Sequence, residues 1–574
     1  MRVTLQPHPQ TPCAALDAME VQVHRHAGGG LELHFFAHGR TKDVLWPEGA
    51  QGARADRLWE TTCFEAFVKP VGRNNYAEFN FAPSGRWQAY SFTSERAGMA
   101  EARGLAAPDA RTRMTEKTRV HHVRLDLGAV PGLPAEAEWA LGLSAVIEAV
   151  DGSKSYWALR SRLLCADTCC TGGFMKFGID RLLADPALRA PLKGKRVALM
   201  AHPASVLPDL THSLDALAAC PDITLSAAFG PQHGIRGEKQ DNMMESPDFT
   251  DPALGIPVFS LYGEVRKPTD AMMDTFDVML FDLQDLGCRI YTFITTLLYT
   301  LEAAAAHGKS VWVLDRPNPA GRPVEGLTLR PGWESFVGAG PMPMRHGMTL
   351  GELGAWFIAH YKLDVDYRVI AMEGYDPDAA PGHGWPLNER HWINPSPNAP
   401  NLNMARAYAG TVMLEGTTLS EARGTTRPLE MFGSPEIDAK AVMTTMREIA
   451  PHWLKGCILR ECWFEPTFHL HMGTLCHGVH IHADGPGYDH AAFRPWRVQA
   501  LAFKAIRTLW PDYDLWRDFA YEYEFGKLAI DVINGSPLLR EWVDDPAAGP
   551  DALDALTLPD EAAWLAERQP FLLY

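Results

Sequence analysis

Residues Phe229 to Glu238 read Phe-Gly-Pro-Gln-His-Gly-Ile-Arg-Gly-Glu, which sets an amide, an imidazole, a guanidinium and a carboxyl into one short stretch. Its three glycines let the backbone approach a ligand closely, and the proline fixes the turn. Two further stretches carry related groups: Asp282-Leu283-Gln284-Asp285-Leu286-Gly287-Cys288-Arg289-Ile290-Tyr291 and Asp315-Arg316-Pro317-Asn318-Pro319. Carboxyls and imidazoles move protons, and clustered arginines hold an acidic group on a small ligand. For any single Asp or Arg here, a structural ion pair or loop cap is an equally good reading. The convergence of three such loops is what points to a site.

Each polar stretch follows an apolar run. Lys195 to Met200, Ile223 to Phe229, Asp277 to Phe281, Ser310 to Leu314 and Tyr367 to Ile370 read as short strands, and Leu210 to Cys220 as a helix. Between two of the strands, Ile290, Phe293, Ile294, Leu297, Leu298 and Leu301 recur at helical spacing and form one apolar face. Strands that are almost wholly apolar, alternating with helices, predict a doubly wound α/β fold. Ligands of such folds bind outside the carboxyl ends of the strands, where the three polar loops fall.

Familiar alternatives lack their residues. The first strand is followed by Ala201-His202-Pro203-Ala204-Ser205 and not by a Gly-x-Gly-x-x-Gly turn. Gly308-Lys309-Ser310 imitates the end of a phosphate loop, but residue 303 is Ala and the stretch precedes a strand. Neither Gly-x-Ser-x-Gly nor His-Glu-x-x-His occurs. A net charge of −17 disfavours nucleic acid and anionic membrane surfaces as partners. No run reaches the roughly eighteen apolar residues of a membrane span, and Met1 to Gln10 shows no signal-peptide pattern. Ten scattered cysteines read as free thiols, so the expected compartment is the cytoplasm.

The first 165 residues read differently. Leu31 to Phe36, Cys63 to Val68, Trp87 to Phe92 and Trp139 to Ile147 are strand-like, separated by turn signals, and predict a two-sheet β-sandwich. Leu58-Trp59-Glu60, Cys63-Phe64-Glu65-Ala66-Phe67, Glu78-Phe79-Asn80-Phe81 and Pro83-Ser84-Gly85-Arg86-Trp87 resemble DOMON-like domains related to carbohydrate-binding modules. That resemblance implies sugar binding through stacked aromatic rings. The residues alone favour Trp59, Tyr76, Trp87 and Trp157 as core aromatics. Residues 166–174, with Cys169 and Cys170 just after Cys165, read as a linker, because no second cluster completes a zinc site.

A second resemblance covers about residues 175–574. It rests on Gly178-Ile179-Asp180, the Pro-x-His-Gly-Ile-Arg-Gly loop, Ser260-Leu261-Tyr262-Gly263 and Phe281-Asp282-Leu283-Gln284-Asp285. It continues through Leu314-Asp315-Arg316-Pro317-Asn318-Pro319, Arg345-His346-Gly347-Met348-Thr349, Pro395-Ser396-Pro397-Asn398, Leu414-Glu415-Gly416-Thr417 and Glu421-x-Arg423-Gly424-Thr425-Thr426-Arg427-Pro428. These look like a bacterial family whose characterised members are exo-β-N-acetylmuramidases of the NamZ type. The resemblance implies removal of a non-reducing terminal N-acetylmuramic acid from peptidoglycan fragments. It also implies a Rossmann-like domain (about 175–405), a smaller C-terminal α/β domain (about 406–574) and a site in the cleft between them. No metal or cofactor is implied, and the partner is a small glycan.

In that family the loop usually reads Pro-Glu-His-Gly, with the glutamate as proposed catalytic residue; this chain has Gln232. An amide cannot pass a proton, and losing a general acid costs about 10²- to 10⁴-fold. Glu238, Asp282, Asp285 or Glu415 is then the acid, with His233 next to Gln232 in the loop; or the acetamido group of the sugar acts as nucleophile with Gln232 positioning it. The third reading is a muropeptide-binding protein with little hydrolysis. Tyr291, Asp315, Asn318, Arg236, His346, Asn398 and Glu421 are expected substrate contacts. One of Arg289, Arg316, Arg345, Arg423 or Arg427 is expected to read the lactyl carboxylate of muramic acid.

Near the C-terminus, Thr411 to Leu414 reads as a β run and Thr418-x-x-Glu421 as a capping box. His469, His471, His477, His480 and His482 lack a completing ligand at metal spacing. Val498 to Leu509 and Leu553 to Leu558 read as packing helices, and Trp516 to Phe525 as core or interface. No feature of the sequence sets an oligomeric state.

Overall fold

The computed structural model describes residues 2–574 except 9, 10, 12, 27, 28, 50, 71–74, 94–97, 103, 104, 116, 117, 131–138, 159–174, 238, 240–243, 388 and the side chain of 129. Two compact units divide the chain, Met1–Phe174 and Met175–Tyr574.

The N-terminal unit contains β1 (Arg2–Pro7), β2 (Leu16–Arg25), β3 (Gly30–Gly39), β4 (Cys63–Pro70), β5 (Tyr76–Phe81) and β6 (Trp87–Phe92). It continues with β7 (Ala100–Glu101), β8 (Asp109–Met114), β9 (Thr118–Asp126), β10 (Trp139–Glu148) and β11 (Lys154–Ala158). All eleven join one antiparallel sheet in the order β7-β6-β5-β4-β10-β11-β1-β2-β3-β9-β8. Two separate sheets were expected from the turn spacing. They are joined because β1 pairs with β2 over Arg2–Leu5 and with β11 over Gln6–Pro7. The halves face one another across a shared core, where the rings of Phe35 on β3 and Phe64 on β4 lie 4.8 Å apart. Period-two alternation builds that core: Leu31, Leu33, Phe35 and Ala37 point in, and Glu32, His34, Phe36 and His38 point out. Each buried aromatic or aliphatic side chain is worth about 1.5–3 kcal/mol. Tyr76, Trp87 and Trp157 are themselves buried, and Trp59 packs edge-on against Tyr90.

The second unit is organised on β12 (Arg196–Ala201), β13 (Thr224–Gly230), β14 (Phe249–Thr250), β15 (Pro257–Ser260), β16 (Val278–Asp282), β17 (Ser310–Leu314) and β18 (Asp366–Ile370). Their order across the sheet is β14-β15-β13-β12-β16-β17-β18, parallel except for the edge strand β14. The order reverses on either side of β12. Both faces are covered, because alternate residues of one strand enter different cores. Met279 and Phe281 pack with Ile294, Leu297 and Leu301 of the helix Phe293–His307, whereas Val278 and Leu280 pack with Leu182, Leu214 and Leu217. The helix begins at Phe293, so Ile290 lies in the loop before it. Gly308, at φ 61°, ends the helix in the left-handed conformation.

Beyond it, the helices Leu402–Thr411 and Pro495–Leu509 pack on each other, and the helix Ala439–Ile449 packs both on Pro495–Leu509 and on a three-stranded sheet of β19 (Met431–Ser434), β20 (Ile458–Phe464) and β21 (Cys476–His482). Residues Thr411 to Leu414 are not a β run: they finish one helix and enter the 3-10 turn Val412–Gly416. A short apolar run buried on every side has no period with which to choose strand over helix. Likewise no helix follows Thr418, so Glu421 is free of capping duty. The last helix runs Pro550–Arg568 and carries Pro559 inside it. One apolar core extends from Phe229 and Phe281 of the central sheet to Trp496 and Trp564 near the end of the chain.

Candidate functional site

The loop after β13 turns sharply. At Gly230 a Cβ would lie 2.7 Å from the backbone nitrogen of Ile235, so only glycine permits the close return. His233 adopts φ 71°, an uncommon left-handed conformation for a non-glycine residue, and its Nδ1 lies 3.0 Å from the Lys239 carbonyl. Between them Gln232 is buried. The Thr292 hydroxyl donates to its Oε1 at 2.8 Å, which orients the amide nitrogen toward Glu522 Oε1 at 3.3 Å. Tyr262, just past β15, donates from its hydroxyl to Glu522 Oε2 at 2.9 Å. Two loops at the carboxyl end of the sheet therefore meet one carboxyl from the C-terminal part, and a third holds Gln232 in place.

Glu522 itself has φ 45° and its neighbour Tyr523 φ 67°. Strain of this kind costs about 1–3 kcal/mol per residue and clusters at functional sites. Burial pushes the Glu522 carboxyl up to about 7. The Tyr262 and Gln232 hydrogen bonds and nearby Arg266 pull it down, and repulsion from Glu415 pushes it up. Trp516 to Phe525 is thus not only packing, since Tyr521 and Glu522 line the same cleft as Gln232. Composition hid this: an aromatic-rich stretch advertises burial, whereas its function depends on a backbone turn that composition does not report.

Beside this pair lies a buried charge network. Arg423 donates to Glu415 Oε1 and to Glu421 Oε1, both at 2.8 Å, and Tyr521 donates to Glu415 Oε2 at 2.6 Å. His469 Nδ1 sits 3.0 Å from Glu421 Oε1. Burial opposes ionisation of Glu421, but His469 and Arg423 outweigh it and hold the carboxyl down at about 2. Gln232, His233, Tyr291, Thr292, Ser396, Asn398, Tyr408, Glu415, Arg423, Tyr521 and Glu522 line one narrow cleft.

The other expected site residues brace the loops. Arg316 grips Asp282 through Nε at 2.6 Å and Nη2 at 3.0 Å, and Ser213 donates to the same carboxylate at 2.5 Å. Asp285 accepts from the Gly287 amide at 2.6 Å and lies 3.4 Å from His346. Buried Arg289 is spent on the carbonyls of Leu327, Met342 and Ile533, and Arg345 on those of Phe493 and Ala320. Asp315 accepts from Thr349, Gly351 and Tyr574 at the start of the helix Leu350–Tyr361, and burial pushes it up to about 7. Asn318 bonds the Met348 carbonyl and the Ala320 amide. Arg236 and Arg427 are half-exposed, near Asp251 and Glu430 respectively. Glu238 lies outside the described residues, as do Cys165, Cys169 and Cys170. The rings of His480 and His482 lie 3.9 Å apart, tilted by 37°, and share Arg460 between them. Among the described residues, the one set of metal-ligating atoms that converges is in the N-terminal sheet.

A parallel sheet with polar loops at its carboxyl ends, closed by a buried carboxyl and an ion network from the C-terminal part, defines an enzyme-like small-molecule site. The N-terminal model of exo-beta-N-acetylmuramidase NamZ matches residues 197–403 and the C-terminal one residues 406–574, so the chain belongs to the NamZ glycosidase family. It is 40% identical over 342 residues to the peptidoglycan beta-N-acetylmuramidase NamZ of Bacillus subtilis (strain 168), spanning 58% of this chain and 78% of that protein. Two DUF1343 family proteins from Bacteroides fragilis NCTC 9343 have similar structures. They show TM-scores of 0.60 and 0.54 at 28% and 26% identity, each covering 70% of this chain and 99% of theirs.

Proposed function

We propose that the protein is an exo-acting β-N-acetylmuramidase that releases terminal N-acetylmuramic acid from peptidoglycan fragments, with Glu522 as its proton donor. The observation that carries this is the contact of Glu522 with Gln232 and Tyr262, which sets a carboxyl titrating near neutrality where the family loop meets the C-terminal part. The strand order around β12 supports a Rossmann-like central domain, whose ligands bind where the order reverses.

In this reading protonated Glu522 delivers its proton to the glycosidic oxygen as the bond from that oxygen to C1 breaks. The electron pair stays on the oxygen. Water then adds to C1, and its proton returns to the Glu522 carboxylate. Gln232 is locked by Thr292 and keeps its amide aimed into the cleft, where it orients the carboxyl and the acetamido group of the sugar. Glu415 and Arg423, paired at 2.8 Å, supply charge in the same cleft. Seven described cysteines are free, which supports a cytoplasmic role in cell-wall recycling.

Incubation with a chromogenic N-acetylmuramide and with disaccharide muropeptides tests the reading. Release above blank is expected, and Glu522→Gln should lower it by about 10²- to 10⁴-fold. The amide at position 232 favours one rival, a muropeptide-binding protein without turnover. Saturable binding with no release by the wild-type chain would establish that rival instead.

A further inference from the structure

The outer face of the N-terminal sheet gathers side chains that the glycosidase reading does not use. Strand alternation puts Glu32 and His34 on the same face of β3, and the antiparallel register sets His34 directly opposite His122 of β9. Their Nε2 atoms both converge on one oxygen, Glu32 Oε1, at 3.1 Å from His34 and 2.9 Å from His122. The two rings lie 4.5 Å apart. His26 holds the second oxygen, Glu32 Oε2, at 2.8 Å.

We propose that Glu32, His34 and His122 form a binding site for one divalent first-row cation of the zinc class. One carboxylate oxygen and two imidazole nitrogens all lie within 4.8 Å of one another. Zinc binds such atoms at about 2.0–2.2 Å in tetrahedral geometry, which needs ligands separated by roughly 3.3–3.6 Å. The observed spacings are those of a carboxylate bridged to two imidazoles by protons, and a single cation takes the place of both protons after small ring rotations. The donor set, two imidazoles and a carboxylate, suits zinc and its neighbours better than calcium or magnesium. His26, on the far oxygen, fixes the carboxylate orientation from outside the coordination sphere. Arg111, the cross-strand neighbour of His122, is paired with Asp109 at 3.1 Å, which offsets its repulsion of a cation. The fourth position falls to water or to His24, whose ring is 6.3 Å from that of His34. All three ligands are partly exposed, so the site opens to solvent and substitution there leaves the core intact.

Binding is measured on the full-length chain, stripped of metal and titrated with zinc chloride near neutral pH, with cobalt(II) as a coloured probe. One equivalent per chain is expected, with tetrahedral cobalt bands, and bound zinc should raise the unfolding temperature by mass action. His34→Ala and His122→Ala should each weaken binding by more than about 100-fold, and His26→Ala by about 10- to 100-fold as an outer partner. Circular dichroism of the metal-free variants checks that the sheet is unchanged. Absence of stoichiometric binding, or binding that survives in the His34→Ala/His122→Ala double variant, would overturn the proposal.

Discussion

Gln232 and Glu522 lie 290 positions apart in the chain and meet amide to carboxylate at 3.3 Å. Thr292 fixes which end of the amide faces the carboxyl, and Tyr262 takes the remaining carboxyl oxygen. Substituting glutamate at 232 would place two carboxyls in that contact, where both cannot ionise together. Gln232→Glu is therefore expected to titrate as a pair with Glu522, and hydrolysis of a chromogenic muramide by it should show two ionisations in place of one. The double variant Gln232→Glu/Glu522→Gln then tells whether one carboxyl at either position suffices.

A pH dependence follows from Glu522. The reaction needs its neutral form, so the rate should fall as pH rises through about 7. Tyr262→Phe removes a hydrogen bond that favours the carboxylate, so the falling limb should move to higher pH. A limb that stays in place under both Tyr262→Phe and Glu522→Gln would assign the proton to another group.

Stability should respond to the same group. Folding raises the Glu522 carboxyl from 4.5 to about 7, so it favours the folded state fully below 4.5 and ceases to do so as pH rises through about 7. Glu421 runs the opposite way: held down at about 2, it stabilises above 4.5 and is lost as pH falls toward 2. Thermal melts of Glu522→Gln should lose the neutral-side decline, and those of Glu421→Gln the acid-side one.

Arg423 and Arg316 both serve buried carboxylates, but only Arg423 lines the cleft. Removing either leaves buried charge unpaired, at a cost of about 3–5 kcal/mol. Arg316→Met should thus depress the unfolding temperature while selectivity for muramyl over glucosaminyl substrates stays unchanged. Arg423→Lys, which keeps the charge and loses the two-armed grip on Glu415 and Glu421, should alter that selectivity as well. Equal selectivity in both variants would remove Arg423 as the reader of the lactyl carboxylate, leaving half-exposed Arg427.

Much of the scaffold was legible along the chain. Ser310–Leu314 and Trp87–Phe92 occupy the residues that their apolar patterns mark, and the polar loops follow β13, β16 and β17 as strand-end chemistry requires. Which of those polar groups face the cleft was not legible. Asp282 and Arg316 have the same local look as Gln232 and Glu415, yet they satisfy each other below the surface. A carboxylate reads alike in sequence whether its partner is an arginine or a substrate.

The sequence alone determined the strand and helix periods, the loops that carry polar groups, the membership of residues 197–574 in a glycosidase family and the amide at 232. These are local properties, encoded by neighbours a few residues apart. Only the tertiary structure decided that Glu522, hidden in an aromatic stretch, stands opposite Gln232, and that Glu32 meets a histidine 90 residues away. Contacts at such separation depend on how strands pair and how the core closes. Burial, which sets the proton affinity of Glu522, exists only once that closure has occurred.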